Sequence, residues 1–192
     1  MALGTAIQYH MPVGIPGDIT RMEFSKVEPQ MVDGSSSGTY APGAYGIPVK
    51  LTNGLVRKLA TGDSALYGFL VRPYPYNGSV GAAAGLGGGV PPTTGPCDVL
   101  RSGYIAVKLA FGSPTRGSTA YVVTTANSST GISGYGSAAV GDIVDSTTAA
   151  TLNAASSGSA IACGIFMGPP DTGTYAYDNT GAASVAELAY NT

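Results

Sequence analysis

The segment from residue 45 to residue 60 reads YGIPVKLTNGLVRKLA and predicts a β-hairpin. Two apolar runs, 45–51 and 55–60, flank the sequence Thr52-Asn53-Gly54. Asn-Gly between apolar runs is the strongest local hairpin signal, because both residues tolerate the positive φ angles of a tight turn. The rest of the chain is expected to follow the same plan of short strands separated by turns.

Similar runs recur along the chain, with a turn signal after each. The best patterned run covers residues 99–110, and its centre reads YIAVKL. The other predicted strands cover residues 19–32, 66–72, 119–125, 142–145, 160–167 and 185–190. Short strands at this spacing predict an all-β fold, either an antiparallel β-sandwich, jelly-roll-like, or a small barrel. We expect one β domain over residues 19–192, in which the Gly/Ala-rich stretch 78–96 is a long, flexible loop insertion.

The composition excludes several classes of protein. Gly 29 and Pro 13 interrupt every long window, which excludes a mainly helical fold. Charged residues make up 10% of the chain, where roughly 25% is usual. Nine basic residues are too few to form a positively charged surface for nucleic acid or an anionic membrane, so neither is an expected partner.

The low charge also suggests how the protein meets its neighbours. Interfaces are depleted in charge and enriched in Tyr, and this chain has 12 Tyr and no Trp. The composition therefore indicates a protein built into an assembly. A stable secreted β domain with a Ser/Thr/Gly coat would have the same composition.

Neither a secretory leader nor a membrane span is expected. Residues 1–17 lack the basic start and the unbroken apolar run of a signal peptide. No window approaches the ~18 apolar residues of a membrane helix. The two cysteines, Cys97 and Cys163, lie far apart and require no oxidising compartment.

Residues 1–18 predict an extended N-terminal arm. Pro12 and Pro16 fix φ and favour extended neighbours. Alternate side chains of an extended chain project to the same side, so this arm would present an apolar stripe. The candidate contacts with a partner or a neighbouring protomer are Leu3, Ile7, Tyr9, Met11, Val13 and Ile15. The alternative is that the segment pairs as the first strand of its own sheet.

Motifs that resemble catalytic sites are better explained as turns. The triplet Asp171-Thr172-Gly173 matches the aspartic protease motif, but two prolines precede it where an apolar strand would be needed. His10 is the only histidine and lies on the arm, so no rigidly held base for nucleophilic catalysis is expected. The sequence predicts no enzyme, no catalytic residue and no cofactor.

A metal site is not expected either. The Gly-Asp pairs at 17–18, 62–63 and 141–142 each precede a possible strand and predict turns. Calcium bound through Asp171 and Asp178, or through Asp142 and Asp145, is an alternative, although isolated acids in turns are commoner than ligands.

Three stretches resemble a known family. The opening, with AIQY at 6–9 and PVGIPGDITR at 12–21, resembles the start of tailed-phage structural cement (capsid decoration) proteins. The stretch YGFLVRPYP at 67–75 and the ending AELAYN at 186–191 are similar to that family as well. The likeness is best over about the first 35 residues and continues in pieces, as variable loops would allow.

This resemblance implies a structural role. Such proteins resemble β-sandwich or jelly-roll decorators that sit as dimers or trimers outside an icosahedral shell, within a virion assembled in the bacterial cytoplasm. They clamp neighbouring subunits of the major capsid protein against the pressure of packaged DNA. The alternative is another virion component, such as a head-tail connector, a tail tube or a fibre domain. An enzyme or a carbohydrate-binding module is a further alternative, and the absence of Trp counts against the latter.

Overall fold

The computed structural model describes residues 13–73, 89–126, 138–154, 158–171 and 184–191. The strands of these residues are β1 (Lys26–Val32), β2 (Pro48–Thr52), β3 (Leu55–Lys58), β4 (Gly68–Val71), β5 (Gly95–Phe111), β6 (Thr119–Thr125), β7 (Ile143–Val144), β8 (Ser159–Phe166) and β9 (Ser184–Tyr190). One α-helix, α1 (Ser146–Ala154), and two 3-10 turns, Met22–Phe24 and Ser36–Gly38, complete the described elements. The all-β prediction is confirmed.

The strands close into two small rings that share β5. Ring one has the strand order β1-β3-β2-β4-β5, and pairing of β1 with β5 closes it. Ring two has the order β5-β7-β6-β8-β9, and pairing of β5 with β9 closes it. Most pairs are antiparallel, while β1–β3 and β5–β7 are short parallel pairs. The prediction of a small barrel therefore holds, with the barrel occurring twice.

Strand β5 changes partners at Gly103. Its first part pairs with β1 as far as Ser102, and its second part pairs with β9 from Gly103 to Leu109. Gly103 has a φ of +126°, and a Cβ built there would lie 2.4 Å from the Ser25 hydroxyl oxygen and 2.6 Å from the Ser25 Cα. Only glycine fits this crossing point, because both the backbone angle and the space exclude a side chain.

Each ring has its own cluster of buried apolar side chains. Ring one encloses a cluster formed by Val49, Val56, Leu70 and Val99. Ring two contributes the inward side chains of its strands to a larger cluster, which includes Ile105, Val107, Val122, Phe166 and Leu188. Alternate residues of β5 point into or away from this cluster, as the period of two of a strand requires.

The larger cluster also includes side chains from ring one. Phe69 and Leu100 lie on strands of ring one but belong to the cluster of ring two. The Phe69 ring meets the Tyr190 ring edge to face, with the ring centroids 5.1 Å apart. The two rings therefore share apolar packing as well as a strand. The single-domain interpretation stays a prediction.

The predicted hairpin is confirmed. Strands β2 and β3 pair antiparallel from Val49 opposite Lys58 to Thr52 opposite Leu55. Asn53 and Gly54 have φ angles of +52° and +78°, so both residues take the left-handed conformation of a tight hairpin turn.

The three Gly-Asp pairs are turns, as predicted. In each one the aspartate carboxylate accepts the backbone N–H three residues earlier. The bonds run from Ile15 to Asp18 (3.1 Å), from Ala60 to Asp63 (2.7 Å) and from Ala139 to Asp142 (2.8 Å). The glycine N–H of each turn donates to a strand carbonyl, which attaches the turn to the sheet: Gly17 to Ala106, Gly62 to Thr124 and Gly141 to Val123.

The structure differs from the sequence predictions in three places. Gly95 and Pro96, the end of the predicted loop 78–96, begin β5 opposite Val32 and Met31 of β1, while residues 78–88 lie outside the described residues. Residues 21–24 were expected to belong to the strand 19–32, but Met22–Phe24 form a 3-10 turn, and pairing of β1 with β5 starts only at Lys26.

Helix α1 was not expected, because its sequence STTAATLNA has no apolar stripe of helical period. The carboxylate of Asp145 caps this helix by accepting the Thr148 N–H at 2.8 Å. Leu152 anchors the helix in a cluster with Val123 and Val144.

Candidate functional site

Only the end of the predicted arm is described. The candidate residues Leu3, Ile7, Tyr9 and Met11 lie outside the described residues. Val13 packs against Ala106 and Val185 on the outer face of ring two, and its N–H donates to the Asp171 carboxylate at 2.6 Å. Ile15 is half-buried within the first Gly-Asp turn.

Residues 17–20 add a short strand to β5. The Gly17 N–H donates to the Ala106 carbonyl at 2.8 Å, the Ala106 N–H donates to the Asp18 carbonyl at 2.9 Å, and the Thr20 N–H donates to the Tyr104 carbonyl at 3.1 Å. This segment therefore pairs with its own sheet, along the edge of β5 opposite β9. That Val13, Ile15 and the residues before them touch a capsid subunit or a protomer stays a prediction.

Arg72 ties this segment to ring one. The residue directly follows β4, and its guanidinium donates to the Pro16 carbonyl at 3.2 Å. It also lies 3.7 Å from the Asp18 carboxylate and stacks over the Tyr45 ring at 4.8 Å. The segment 13–20 is thus held by both rings.

An apolar strip crosses the outer face of ring two. Register places Tyr104 of β5 opposite Ala189 of β9, and Ala189 opposite Ile165 of β8. Paired residues of a sheet share a face, so these three lie in one row. The 3-10 turn extends the row at the β5 end, where the Phe24 ring meets the Tyr104 ring edge to face at 6.4 Å.

Two large apolar side chains of this strip, and Met22 of the adjoining 3-10 turn, are open to solvent. Met22 is 78% exposed, Phe24 63% and Ile165 46%. Tyr104 is half-buried and Ala189 is buried between them. We call Phe24, Tyr104, Ala189 and Ile165 the ring-two strip. Sequence reasoning missed it, because the strip depends on the pairing of three strands distant in the chain and on the unexpected 3-10 turn.

The cationic side chains are largely neutralised inside the molecule. Four of the arginines each stack over a tyrosine ring and pair with a carboxylate as well. The stacks are Arg21 on Tyr104 (4.4 Å), Arg57 on Tyr40 (4.2 Å), Arg72 on Tyr45 (4.8 Å) and Arg101 on Tyr67 (3.7 Å). Their acid partners are Glu187, Asp33, Asp18 and Glu28, respectively. The planar guanidinium suits both contacts at once, so little free charge is left at these sites.

The composition associated the tyrosines with interfaces, whereas most of the described tyrosines have contacts within the fold. Four of the six described tyrosines lie under an arginine, Tyr190 packs on Phe69, and Tyr121 packs against the α1 cluster. Within the described residues, most tyrosines therefore have contacts inside the fold, although Tyr40 also stays partly exposed.

A polar network joins β1 to β5 on ring one. The Tyr67 hydroxyl donates to the Glu28 carboxylate at 2.8 Å and accepts from the Gln30 amide at 3.0 Å. Glu28 also pairs with Lys26 at 3.2 Å and with Arg101 at 3.4 Å. The hydrogen bond from Tyr67, followed by Lys26 and Arg101, holds the pKa of Glu28 below its ordinary value of 4.5.

The lowered pKa of Glu28 predicts a contribution to acid stability. A carboxylate whose pKa is lower in the folded state stabilises the fold above its unfolded pKa, and this stabilisation is lost as the pH falls through the folded pKa. We expect the melting temperature to fall below about pH 4.5, and to fall less steeply in Glu28→Gln. Thermal melts from pH 7 to pH 3 measure this, with Glu23→Gln, an exposed acid of the 3-10 turn, as the control. Equal slopes for wild type and Glu28→Gln would contradict the assignment.

The residues that resembled a catalytic site have structural contacts or lie outside the described chain. Asp171 bonds the Val13 N–H and bridges to Val185, while His10, Thr172 and Gly173 are outside the described residues. Cys97 and Cys163 are free thiols. Burial, followed by the charge of Asp98, raises the pKa of Cys97 to about 11, and burial raises the pKa of Cys163 further. Neither thiol is poised as a nucleophile.

The candidate calcium ligands have backbone partners. Asp142 accepts the Ala139 N–H, and Asp145 accepts the N–H groups of Ser113 and Thr148. Asp178 lies outside the described residues. Within residues 13–73, 89–126, 138–154, 158–171 and 184–191, no three His, Cys, Asp or Glu side chains group as a metal site. The same residues contain no helix long and apolar enough to span a membrane.

An open hollow lies where the loop before β4 meets β8 and β9. Its volume is about 370 Å³, and its lining includes Leu66, Cys163 and Tyr190. No acidic or basic side chain lines it. The hollow therefore provides no acid–base pair.

The chain matches a known protein family over nearly its whole length. The family described as "Structural cement protein (E217 gp24/Pam3 gp6)" matches residues 3–191. No curated protein and no solved structure matches the chain significantly. The family match covers nearly the whole chain, including the regions that carried the resemblance in the sequence, and it accords with the all-β architecture. The chain belongs to the phage structural cement protein family.

Proposed function

We propose that this protein binds the outside of an icosahedral phage capsid and cements neighbouring subunits of the major capsid protein, which stabilises the DNA-filled head. The observation that carries the proposal is the family match over residues 3–191. In this account the protein is no enzyme, needs no metal or cofactor and binds no nucleic acid. It works in the virion, which is assembled in the cytoplasm of the bacterial host, as a homodimer or homotrimer.

The charge distribution supports a docking role. At least six of the nine basic side chains form ion pairs within the described residues. Burying an unpaired charge in an interface is costly, whereas a surface whose charges are already paired loses little on docking. The same neutrality removes long-range attraction to packaged DNA.

The closed rings support a role at high density on a shell. An open sheet edge offers unpaired backbone groups that join other chains without specificity. Here β1 and β9 each return to β5, so both rings close on themselves. Closure lets the protein crowd at high density on a shell.

The proposal is tested on capsids that lack the protein. Purified protein is added to such particles, which are then heated or subjected to osmotic shock, and the DNA retained is measured. We expect added protein to bind and to raise the temperature at which DNA is released. Particles that bind the protein without any gain in retention would contradict the cement role, and particles that bind none would contradict docking.

The arm is proposed to make part of this contact. Deleting residues 2–12 leaves the described contacts of Val13 and Gly17 in place, so we expect a folded protein with a melting temperature within about 3 °C of wild type. Capsid retention should be lost, because the apolar stripe of Leu3, Ile7, Tyr9 and Met11 is removed.

A full-length variant separates the stripe from the length of the arm. Replacing the same four residues with Ser keeps the arm and removes its apolar side, and we expect the same loss of retention. Failure of the truncated chain to fold would assign residues 2–12 to the domain instead. Undiminished retention in both variants would refute the docking arm.

A further inference from the structure

Among the described residues, a short stretch of β8 has no neighbouring strand on the side that faces the hollow between β8, β9 and the loop before β4. We propose that an extended, uncharged peptide segment of the major capsid protein pairs with β8 there as an additional strand. The inference deepens the proposed function, on which it depends, because it names a site and a mode of contact with the capsid.

The register of β6 and β8 shows which backbone groups of β8 point away from β6. Val123 lies opposite Ala160, but the Val123 N–H donates to the Asp142 carbonyl and its own carbonyl accepts from Gly141. The backbone groups of Ala160 therefore face the other side of β8. In an antiparallel pair these directions alternate from residue to residue, and the pairing is regular from Ala160 to Ala162. Ala162 thus directs its N–H and C=O to the same side as Ala160.

This edge of β8 is covered on either side of Ala162. At Ala160 the Asn153 side chain accepts the backbone N–H at 2.7 Å and donates to the carbonyl at 3.1 Å, as a neighbouring strand would. Further along, β9 pairs with β8 from Ile165, opposite Ala189. Between these two contacts, the backbone of Ala162 has no hydrogen-bond partner on this side within the part of the chain that the structure describes. Its N–H and C=O are suited to pair with another extended backbone.

The hollow beside Ala162 exists because β9 turns away there. Asn191, which follows β9, has a φ of +48°, and its side-chain amide donates to the Arg101 carbonyl of β5. The loop 64–66 forms the opposite wall and is attached at both ends, since Gly62 donates to the Thr124 carbonyl and Tyr67 donates to the Val49 carbonyl. The enclosed volume of about 370 Å³ lies within the range of ligand pockets and suits a short segment.

The walls of the hollow favour an uncharged segment with small side chains. Ser64, Ala65, Ala162 and Gly164 line it and leave room for a second backbone to approach β8. No acidic or basic side chain lines it, so a charge carried into the hollow would lose its hydration without gaining a partner. The open stretch is short and walled, which restricts it to segments that fit. Many such contacts on one shell add up by avidity.

The N-terminal arm of the same chain leaves the fold away from this hollow. Val13 packs on Val185, which lies opposite Lys108 of β5. The hollow is at Tyr190, opposite Gly103 and five residues further along β9, a distance of roughly 17 Å at about 3.4 Å per residue. The segment that pairs with β8 is therefore assigned to the partner rather than to this arm.

Binding of the purified full chain to capsids that lack it tests the site. Proline at position 162 removes the N–H that would donate to the segment, while the edge of a sheet tolerates proline where that N–H is unbonded. We expect Ala162→Pro to weaken capsid binding by about tenfold. Ala162→Ser is the matched control, because it keeps both backbone groups, and it should bind like wild type. Thermal melts establish that each variant is folded.

A second variant, outside β8, keeps the test valid if proline disturbs the strand. Ala65 is exposed on the opposite wall, so the indole of Ala65→Trp would fill the hollow and leave the backbone of β8 unchanged. We expect a loss of capsid binding similar to that of Ala162→Pro.

Hydrogen exchange reports on the edge itself. In the free protein the Ala162 amide should exchange at least tenfold faster than the Ile161 amide, which faces Val122 of β6. On capsids, the peptide covering residues 160–164 should exchange more slowly than in the free protein.

Three results would overturn the inference. Unchanged capsid binding by Ala162→Pro and Ala65→Trp would place the contact elsewhere and leave the proposed function standing. Slow exchange of the Ala162 amide in the free protein would show that the chain covers its own edge. Self-association that is lost in Ala162→Pro, with capsid binding unchanged, would assign the hollow to a second copy. A wild type that binds no capsid would contradict the proposed function itself and this inference with it.

Discussion

Gly103→Ala is expected to destabilise the protein by about 3–5 kcal/mol, which corresponds to about 10–15 °C in melting temperature for a chain of this size. Two effects combine at this position. The φ of +126° is unfavourable for a residue with a Cβ, and the added methyl group would overlap the backbone and side chain of Ser25. Since β5 passes from β1 to β9 at Gly103, the strain would fall on the junction of the two rings.

Gly117→Ala is the matched control for this prediction. Gly117 also has a positive φ, +85°, but no atom lies within 4 Å of the position of its Cβ. Its destabilisation should therefore reflect backbone strain alone, about 1 kcal/mol. Thermal or urea unfolding of both variants gives the comparison. Equal losses for Gly103→Ala and Gly117→Ala would show that the approach of Ser25 to β5 is not a constraint.

Phe69→Ala is expected to cost about 3–5 kcal/mol and to weaken both rings together. Phe69 is fully buried, lies on β4 of ring one, and packs edge to face on Tyr190 of ring two. Removing its ring leaves a cavity between the rings, so we expect the whole chain to unfold in a single transition at a lower temperature. The exposed Phe24→Ala is the control and should change stability by no more than about 0.5 kcal/mol.

Calorimetry on the same variants tests whether the chain is one domain. Agreement of the calorimetric and van't Hoff enthalpies is expected for wild type and for Phe69→Ala. Two resolved transitions in either protein would show that each ring unfolds separately, and would contradict the single-domain interpretation.

Local signals in the sequence predicted much of this fold correctly. The hairpin at Asn53-Gly54 and the Gly-Asp turns depend on φ angles and short hydrogen bonds that adjacent residues decide. Most strands were predicted for the same reason, since alternation is a property of neighbouring residues. In contrast, α1 depends on the cap from Asp145 and on burial of Leu152, which its own pattern does not show.

Long-range features could not be read from the sequence. The sharing of β5 between two rings follows from pairings with β1 and β9, which are far apart in the chain. The backbone pairs with β5 before and after the 3-10 turn, which leaves Met22 and Phe24 exposed. The apolar alternation of these two residues resembles that of a strand, although they do not belong to one. The ring-two strip depends on both features, and for that reason the sequence alone could not predict it.

The arm shows how far the sequence can predict a site. Its apolar alternation was visible, but whether it meets a partner or its own sheet depends on what lies opposite. The structure answers this for residues 17–20, which pair with β5. For Leu3, Ile7, Tyr9 and Met11 the docking interpretation stays a prediction, which the truncation experiment tests.

The number of copies per virion tests the central claim most directly. Mass spectrometry of purified particles, with the major capsid protein as the internal standard, gives this ratio. A cement protein that occupies equivalent positions over an icosahedral shell should be present on the order of hundreds of copies per particle. A count of about a dozen would place the protein at a head-tail connector instead and would contradict the account.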